Sequence, residues 1–358
     1  MRPANETELA EIIRGADQLR IEGGGTRGLA CAGEVLCTKA LSGVTLYEPG
    51  ALTLVAGAGT PLSEVEDLLA KDNQRLAFEP RRMNALLGTT GETTLGGIVA
   101  TNNAGPRRIS TGSCADHLLG VRFVDGRGDI VKNGGRVMKN VTGYDLVKLM
   151  AGSHGTLGVM SEVSLKVLPK PETEATLAMS GLSPKQAQAV LAQALSSPFE
   201  VTGAIHNVGG ETLLRIEGFE DSVTYRAGQL QALCGVELSV RGDDSRGIWE
   251  NLRDLKEFEG SKHDIWRLRL KPSDGPEALA RLDVINAVMD HGGGEVWLEQ
   301  SVGTDVRAQL NGMFYDAQLI RGEGGPRFQP QPPVLAKLQA GLRAQFDPRN
   351  IFNQGLMG

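Results

Sequence analysis

LRIEGGGTRG, residues 19–28, decides how the first half of this chain is read. Gly23, Gly25 and Gly28 spell G-x-G-x-x-G, and Glu48 stands where an acid that binds a ribose hydroxyl would be expected, the fingerprint of a nicotinamide dinucleotide site. The fingerprint needs a strand before the glycines and a helix opening directly after them. The segment after Gly28, LACAGEVLCTKALSG, has no cap residue, contains Gly33 and keeps no apolar helical face. A helix is also expected in front, over residues 6–16. There Asn5 and Glu8 resemble a capping box, and Leu9, Ile12, Ile13 and Ala16 recur at helical spacing. The spelling matches and the context fails. Read without the helix, consecutive glycines let successive backbone N–H groups turn inward as an anion-binding nest suited to a diphosphate, with the Thr26 hydroxyl as a further donor. Gly28 has no part in that reading, and a flexible surface turn would explain a single such segment equally well.

Three more segments of the same kind follow: TLGGIVATN (94–102), STGSCADHLLG (110–120) and GSHGTLGVMSE (152–162). Four loops of backbone donors and small hydroxyls point to a long cofactor wrapped by main chain. Residues 88–115 show almost no apolar periodicity and read as a long structureless segment, of the kind that is functional or disordered. Composition agrees: Gly numbers 47 of 358 residues while aromatics are 4%. A net charge of −6 and a pI near 5.6 exclude a nucleic-acid or anionic-membrane surface. No apolar run reaches membrane-spanning length. Cys31, Cys37, Cys114 and Cys234 form no C-x-x-C pair, which favours a reducing, cytoplasmic location and excludes an iron–sulfur or zinc site of the usual spacing.

Elsewhere in the first half, a strand is expected near 51–56, followed by a helix opened by Thr60-Pro61. A hairpin turns at Asp125-Gly126, a short helix spans 144–150, and a strand runs over 159–167. KPETEA at 170–175 marks the best domain boundary. Beyond it come strand 175–179, helix 184–195 opened by Ser183-Pro184, strands 201–207 and 211–217, helix 221–233 and strand 236–240. That βαββαβ order is the ferredoxin-like pattern. Helices over 245–257 and 276–289 and strands over 263–270, 295–299 and 313–320 extend it. A last helix, 333–345, leads into FDPRNIFNQG (346–355).

Taken in order, GGGT, TLGGIVATN and GYDLVKLMAGSHGTLGVMSEVSLKVLPKP (143–171) resemble the FAD-binding domain of the vanillyl-alcohol oxidase type, and FDPRNIFNQG resembles that family's closing motif. The resemblance covers about residues 1–170 and the last two dozen. It implies an α+β chain: a two-subdomain FAD-binding domain (1–170), a ferredoxin-like antiparallel cap (171–330) and a C-terminal segment (331–358) returning to the FAD domain. It places Gly23, Gly24, Gly25 and Thr26 at the FAD pyrophosphate, and Thr94, Gly97, Ala100 and Thr101 along the flavin and phosphate path. Gly112, Asp116 and Val121, with Gly155, Gly158 and Val159, hold the rest of the cofactor, and Asn353 approaches the isoalloxazine end. Glu22 stands where the family often has Arg, and Asn353-Gln354-Gly355 replaces its usual N-P-G. No His occurs in GGGTRG, so the resemblance implies non-covalent FAD.

Within that family the short length and whole pattern look closest to the FAD-binding E subunits of glycolate oxidases. That implies two partners, a larger FAD-linked catalytic subunit and an iron–sulfur subunit, with a small 2-hydroxy acid as the substrate of the complex. Any membrane association would come through those partners. Two alternatives stay open: a stand-alone FAD-dependent alcohol or hydroxy-acid oxidoreductase, and a flavin-binding assembly subunit without its own turnover. Oxidising a hydroxy acid on a flavin calls for a base and a cation that fixes the carboxylate. Larger relatives carry H-x-G-D-G-N-x-H; here His117, His154, His206, His263 and His291 are not paired at ligand spacing, and no metal is expected. His117 and His154 fall in the flavin loops, and surface placement is expected for His206 and His291. Arg267 or Arg269 could meet a carboxylate, but alternating Arg on a strand, like Glu299 with Gln300, also reads as a solvated face. No catalytic residue is assigned.

Overall fold

The computed structural model describes all residues except 29–30, 137–142, 236–238, 243, 314 and 358, and the backbone alone at 239–241. The chain divides into two units. The first holds Met1–Ala104, Gly112–Lys170 and Pro330–Gly358; the second holds Gly105–Thr111 and Pro171–Gln329.

The first unit opens with the helix Glu6–Gly15, which buries Leu9, Ala10 and Ile13. Asn5 Oδ1 accepts the Glu8 amide, while the Glu8 carboxylate reaches back to the Ala4 amide at 2.7 Å, one residue before the usual capping-box target. Strand β1 (Leu19–Glu22) then pairs in parallel with β2 (Glu34–Cys37). Among the described residues no helix lies between them. A nicotinamide-type crossover would place one there, so the failed fingerprint of the sequence has its counterpart in the chain path.

A five-stranded antiparallel sheet forms the body of this unit. Its strands are β3 (Val44–Glu48), β4 (Thr53–Gly57), β6 (Leu118–Val124), β7 (Ile130–Gly134) and β8 (Val159–Lys166), in the order β3-β4-β8-β6-β7; the two-residue strands β5 (Gln74–Arg75) and β9 (Leu168–Pro169) pair beside it. The central strand β8 is buried along most of its length, as a strand covered on both faces must be. Leu54, Phe78, Phe123 and Leu165 lie in its apolar core. The helix expected at Thr60-Pro61 begins at Leu62, and Thr60 Oγ1 instead accepts the Gly43 amide. Residues 88–115 are not structureless. They contain the helices Leu95–Ala100 and Cys114–His117, with Arg108–Thr111 in the second unit. One-turn helices are too short to show periodicity; caps hold them, Thr94 accepting from the Gly97 amide and Ser113 forming a capping box with Asp116.

The second unit is one eight-stranded antiparallel sheet backed by helices. Its strands are β10 (Thr173–Met179), β11 (Val201–Asn207), β12 (Thr212–Gly218), β13 (Ser239–Arg241), β14 (Asp264–Leu270), β15 (Asn286–Asp290), β16 (Glu295–Gln300) and β17 (Tyr315–Arg321). The order β13-β10-β12-β11-β15-β16-β14-β17 contains the βαββαβ arrangement twice. The expected repeat uses β10–β13 with the helices Pro184–Leu195 and Glu220–Cys234; residues 236–238 of the anticipated strand 236–240 lie outside the described residues. The second repeat uses β14–β17 with the helices Gly275–Arg281 and Val306–Gln309, and joins the first where β15 pairs with β11. This corrects the helix expected over 276–289. Leu282 is already extended, and Ala287 and Met289 alternate into the apolar core while β11 and β16 take up the backbone hydrogen bonds on both sides.

The last helix, Pro333–Phe346, has no buried residue and leaves Val334, Leu335, Leu338 and Leu342 exposed. After it the Asp347 carboxylate accepts the amides of Ile351 and Phe352. The chain then runs alongside β1, with the Leu19 amide bonded to Ile351 O and the Asn353 amide to Leu19 O.

Candidate functional site

The first unit contains a cleft of about 210 Å³ whose walls are the 20–28 loop, the helix Leu95–Ala100 with its flanks, and residues 154–160. Close approach of backbone to backbone shapes the loop. A Cβ on Gly24 would stand 1.4 Å from Glu92 O, and Gly25 has φ +76°, a conformation costly for any residue with a side chain. Among the described residues, the amides of Gly24, Gly25, Thr26 and Arg27 find no protein acceptor, so four adjacent donors remain for a ligand. Gly96 and Gly97 also line the cleft and add no side chains to it.

Eleven of the residues anticipated from the sequence meet around this cleft: Gly23, Gly24, Gly25, Thr26, Thr94, Gly97, Ala100, Thr101, Gly155, Gly158 and Val159. The other four do not line it. Asp116 accepts from the Ser113 amide and hydroxyl, and Gly112, at φ +87°, passes so close that a Cβ would lie 2.8 Å from Asp116 Oδ2. Val121 is buried in the sheet core. Asn353, itself 2% exposed, ties two parts of the cleft wall together: Ile21 N–H donates to its Oδ1 and its Nδ2 donates to His154 O, both at 2.8 Å.

Sequence reasoning passed over Arg20, Ile21, Arg27, Thr38, Ala58, Gly96 and Met160, which also line the cleft, and Gly28, which it had set aside. Gly96 and Arg27 stand inside the glycine-rich segments, where the residue types around them carry the pattern. His154 lines the cleft as well, with φ +52° and its amide bonded to Ala100 O. Arg20 pairs with Glu22 at 2.9 Å. Arg27 is different: its Nε and Nη2 are shielded from solvent and have no hydrogen-bond partner among the described residues, and burial pushes its pKa down to about 10.

In the second unit, Arg269 and Asp316 form a half-exposed pair, the solvated-face reading. Arg267 donates to Gln318 Oε1 and lies 5.6 Å from the centre of the Trp297 ring. Glu299 is bonded to the Ser261 hydroxyl and to His263 Nδ1. His206 is not on the surface: it shares a strand face with Ala204, is fully buried, and bonds Thr212 Oγ1 through Nδ1. Desolvation holds its pKa below the ordinary range. His291 is half-buried rather than on the surface, and its ring comes together with Asp290 and Glu295 within 4.8 Å. Protein donors already serve those carboxylates, the His291 amide on Asp290 and Trp297 Nε1 on Glu295.

Comparison with known proteins points to a family. Residues 1–134 match the family model described as an FAD binding domain. Over 357 residues, 98% of this chain and 95% of the relative, the sequence is 33% identical to glycolate oxidase subunit GlcE of Escherichia coli strain K12. It is 31% identical over 184 residues to glycolate oxidase subunit GlcD of Bacillus subtilis strain 168, covering 49% of this chain and 38% of that one. A solved structure of alkyldihydroxyacetonephosphate synthase superposes with a TM-score of 0.70 at 14% identity, covering all of this chain and 77% of that one, which shows the shared fold. The chain belongs to the FAD-binding flavoprotein oxidoreductases of the vanillyl-alcohol oxidase type. Within them, its match along nearly the whole length is to a glycolate oxidase subunit, and its cofactor is FAD.

Proposed function

We propose that this chain is the FAD-binding subunit of a glycolate oxidase complex, in which a 2-hydroxy acid is oxidised to the 2-oxo acid and electrons leave through flavin to partner subunits. The observation that carries the reading is the 33% identity to a glycolate oxidase subunit along nearly the whole chain, joined to a cleft whose loop amides have no protein acceptor among the described residues. In this reading residues 1–170 form the FAD-binding domain, 171–330 the cap and 331–358 the closing segment.

FAD supplies the hydride-accepting ring and the ability to release electrons one at a time. The chain's own residues do the holding. Gly23, Gly24, Gly25 and Thr26 offer amides and a hydroxyl to the diphosphate. Thr94, Gly97, Ala100 and Thr101 line the cleft without bulky side chains, as do Gly155, Gly158 and Val159. Gly112, Asp116 and Val121 act at a distance, through the packing of the segment that follows. Asn353 positions Ile21 and His154. FAD is held without a covalent link, a reading supported by the absence of His and Cys from residues 23–28.

The partners in this reading are a larger FAD-linked catalytic subunit and an iron–sulfur subunit, working at a cytoplasmic location. Assembly is supported by the helix Pro333–Phe346, where Val334, Leu338 and Leu342 share one exposed face. No helix among the described residues is long and apolar enough to cross a membrane. The test is anaerobic addition of glycolate to the purified chain, alone and with its partners. The reading expects flavin bleaching only in the complex. Rapid bleaching of the isolated chain would establish a stand-alone oxidoreductase instead, and a flavin unreduced even in the complex would leave an assembly role.

A further inference from the structure

We propose that the Arg27 guanidinium clamps the diphosphate of the bound cofactor. The inference rests on the FAD reading above and adds a side-chain cation to a site otherwise built from main chain. Arg27 lines the same cleft as Gly24, Gly25 and Thr26 and follows them directly in sequence. Its Nε and Nη2 are screened from water and bonded to nothing among the described residues. The nearest acid in sequence, Glu22, is engaged by Arg20.

A desolvated cation without a counter-charge is costly in a folded protein and is relieved by an anion. Within oxidised FAD the negative charge resides on the diphosphate, while the adenine, the sugar and the ring are neutral. A guanidinium presents parallel N–H groups that match two oxygens of one phosphate group, a geometry a lysine cannot reproduce. The chain carries a net charge of −6, so a long-range positive field does not draw the cofactor in; the local cation has to do so.

The experiment uses the full chain stripped of flavin. FAD and riboflavin, which lacks the diphosphate, are titrated into wild type, Arg27→Met and Arg27→Lys at several salt concentrations. Losing one charge-assisted contact predicts FAD binding weaker by about ten- to hundredfold in Arg27→Met. Arg27→Lys should be intermediate, riboflavin affinity should stay within about twofold, and the salt dependence of FAD binding should become shallower. Apo Arg27→Met should melt no lower than apo wild type, because the substitution removes a half-buried cation whose Nε and Nη2 have no partner among the described residues. Unchanged FAD affinity in Arg27→Met, or an equal loss for riboflavin, would overturn the clamp while leaving the cofactor reading intact. Failure of wild type to bind FAD would overturn both.

Discussion

Replacing Asn353 by Ala perturbs the cleft without touching its lining. The side chain makes two hydrogen bonds of 2.8 Å in a nearly fully buried position, accepting from Ile21 N–H and donating to His154 O. Alanine leaves both backbone groups without those partners, at about 1–3 kcal/mol each. Asn353 also has φ +40°, a region that Asn tolerates better than Ala, which adds roughly 1 kcal/mol. The expected loss in unfolding free energy is therefore about 3–7 kcal/mol, a large effect for one substitution and one traceable to buried polar groups losing their partners. Asn353→Gly removes the backbone penalty and isolates the two hydrogen bonds. Asn353→Asp keeps the acceptor for Ile21 but sets a carboxylate oxygen against the His154 carbonyl. Urea unfolding of the apo chain, with FAD titration of each variant, reads all three. The order of stability should be wild type, then Gly, then Ala. An Asn353→Ala variant within about 0.5 kcal/mol of wild type and with unchanged FAD affinity would refute the tie between closing segment and cleft.

Gly24→Ala should fold poorly or lose FAD binding, since its Cβ would meet Glu92 backbone, whereas Gly25→Ala, with open space around it, should cost only about 1–2 kcal/mol from its φ; equal effects would contradict the close-approach argument. Glu217→Ala leaves Arg107 and Arg215 without their shared carboxylate, which Arg107 holds through two 2.9 Å bonds, and should destabilise the second unit by roughly 3–5 kcal/mol in chemical denaturation. Burial keeps the folded-state pKa of His206 below its ordinary 6.5, so the unfolded chain binds its proton first. The stability this group contributes is full above pH 6.5 and falls as pH drops towards the lower folded value. Between pH 7 and 5 the melting temperature of His206→Gln should therefore fall less than that of wild type; parallel curves would sink the assignment.

How far the sequence leads can be judged from particular elements. Glycine-rich loops announce the cleft because an L-residue at Gly25, or any Cβ at Gly24, conflicts with the chain path, and such constraints are local. The first ferredoxin-like repeat is equally plain, since Ser183 and Gln186 cap the helix that follows its first strand. Its second copy is obscured at Asn286–Asp290, where a helix-like apolar spacing continues past Leu282 and only the neighbouring strands decide the outcome. The one-turn helices near the cleft are fixed by caps and tertiary contacts, which periodicity does not record. Asp116 stands in the glycine- and hydroxyl-rich segment 110–120 and Val121 just after it, but they face a local turn and the core, because such a segment does not fix the direction of each side chain. Arg27 carries no pattern signal at all; only its unpartnered nitrogens single it out.

The central claim is that the glycines of LRIEGGGTRG serve FAD through a cleft built by the fold. Its most direct measurement is a titration of the apo chain with FAD and with NAD, followed by acid precipitation and flavin analysis of the supernatant. The account predicts one FAD per chain, fully released on precipitation, and no binding of NAD. NAD binding in place of FAD, or flavin that stays with the precipitated protein, would contradict it.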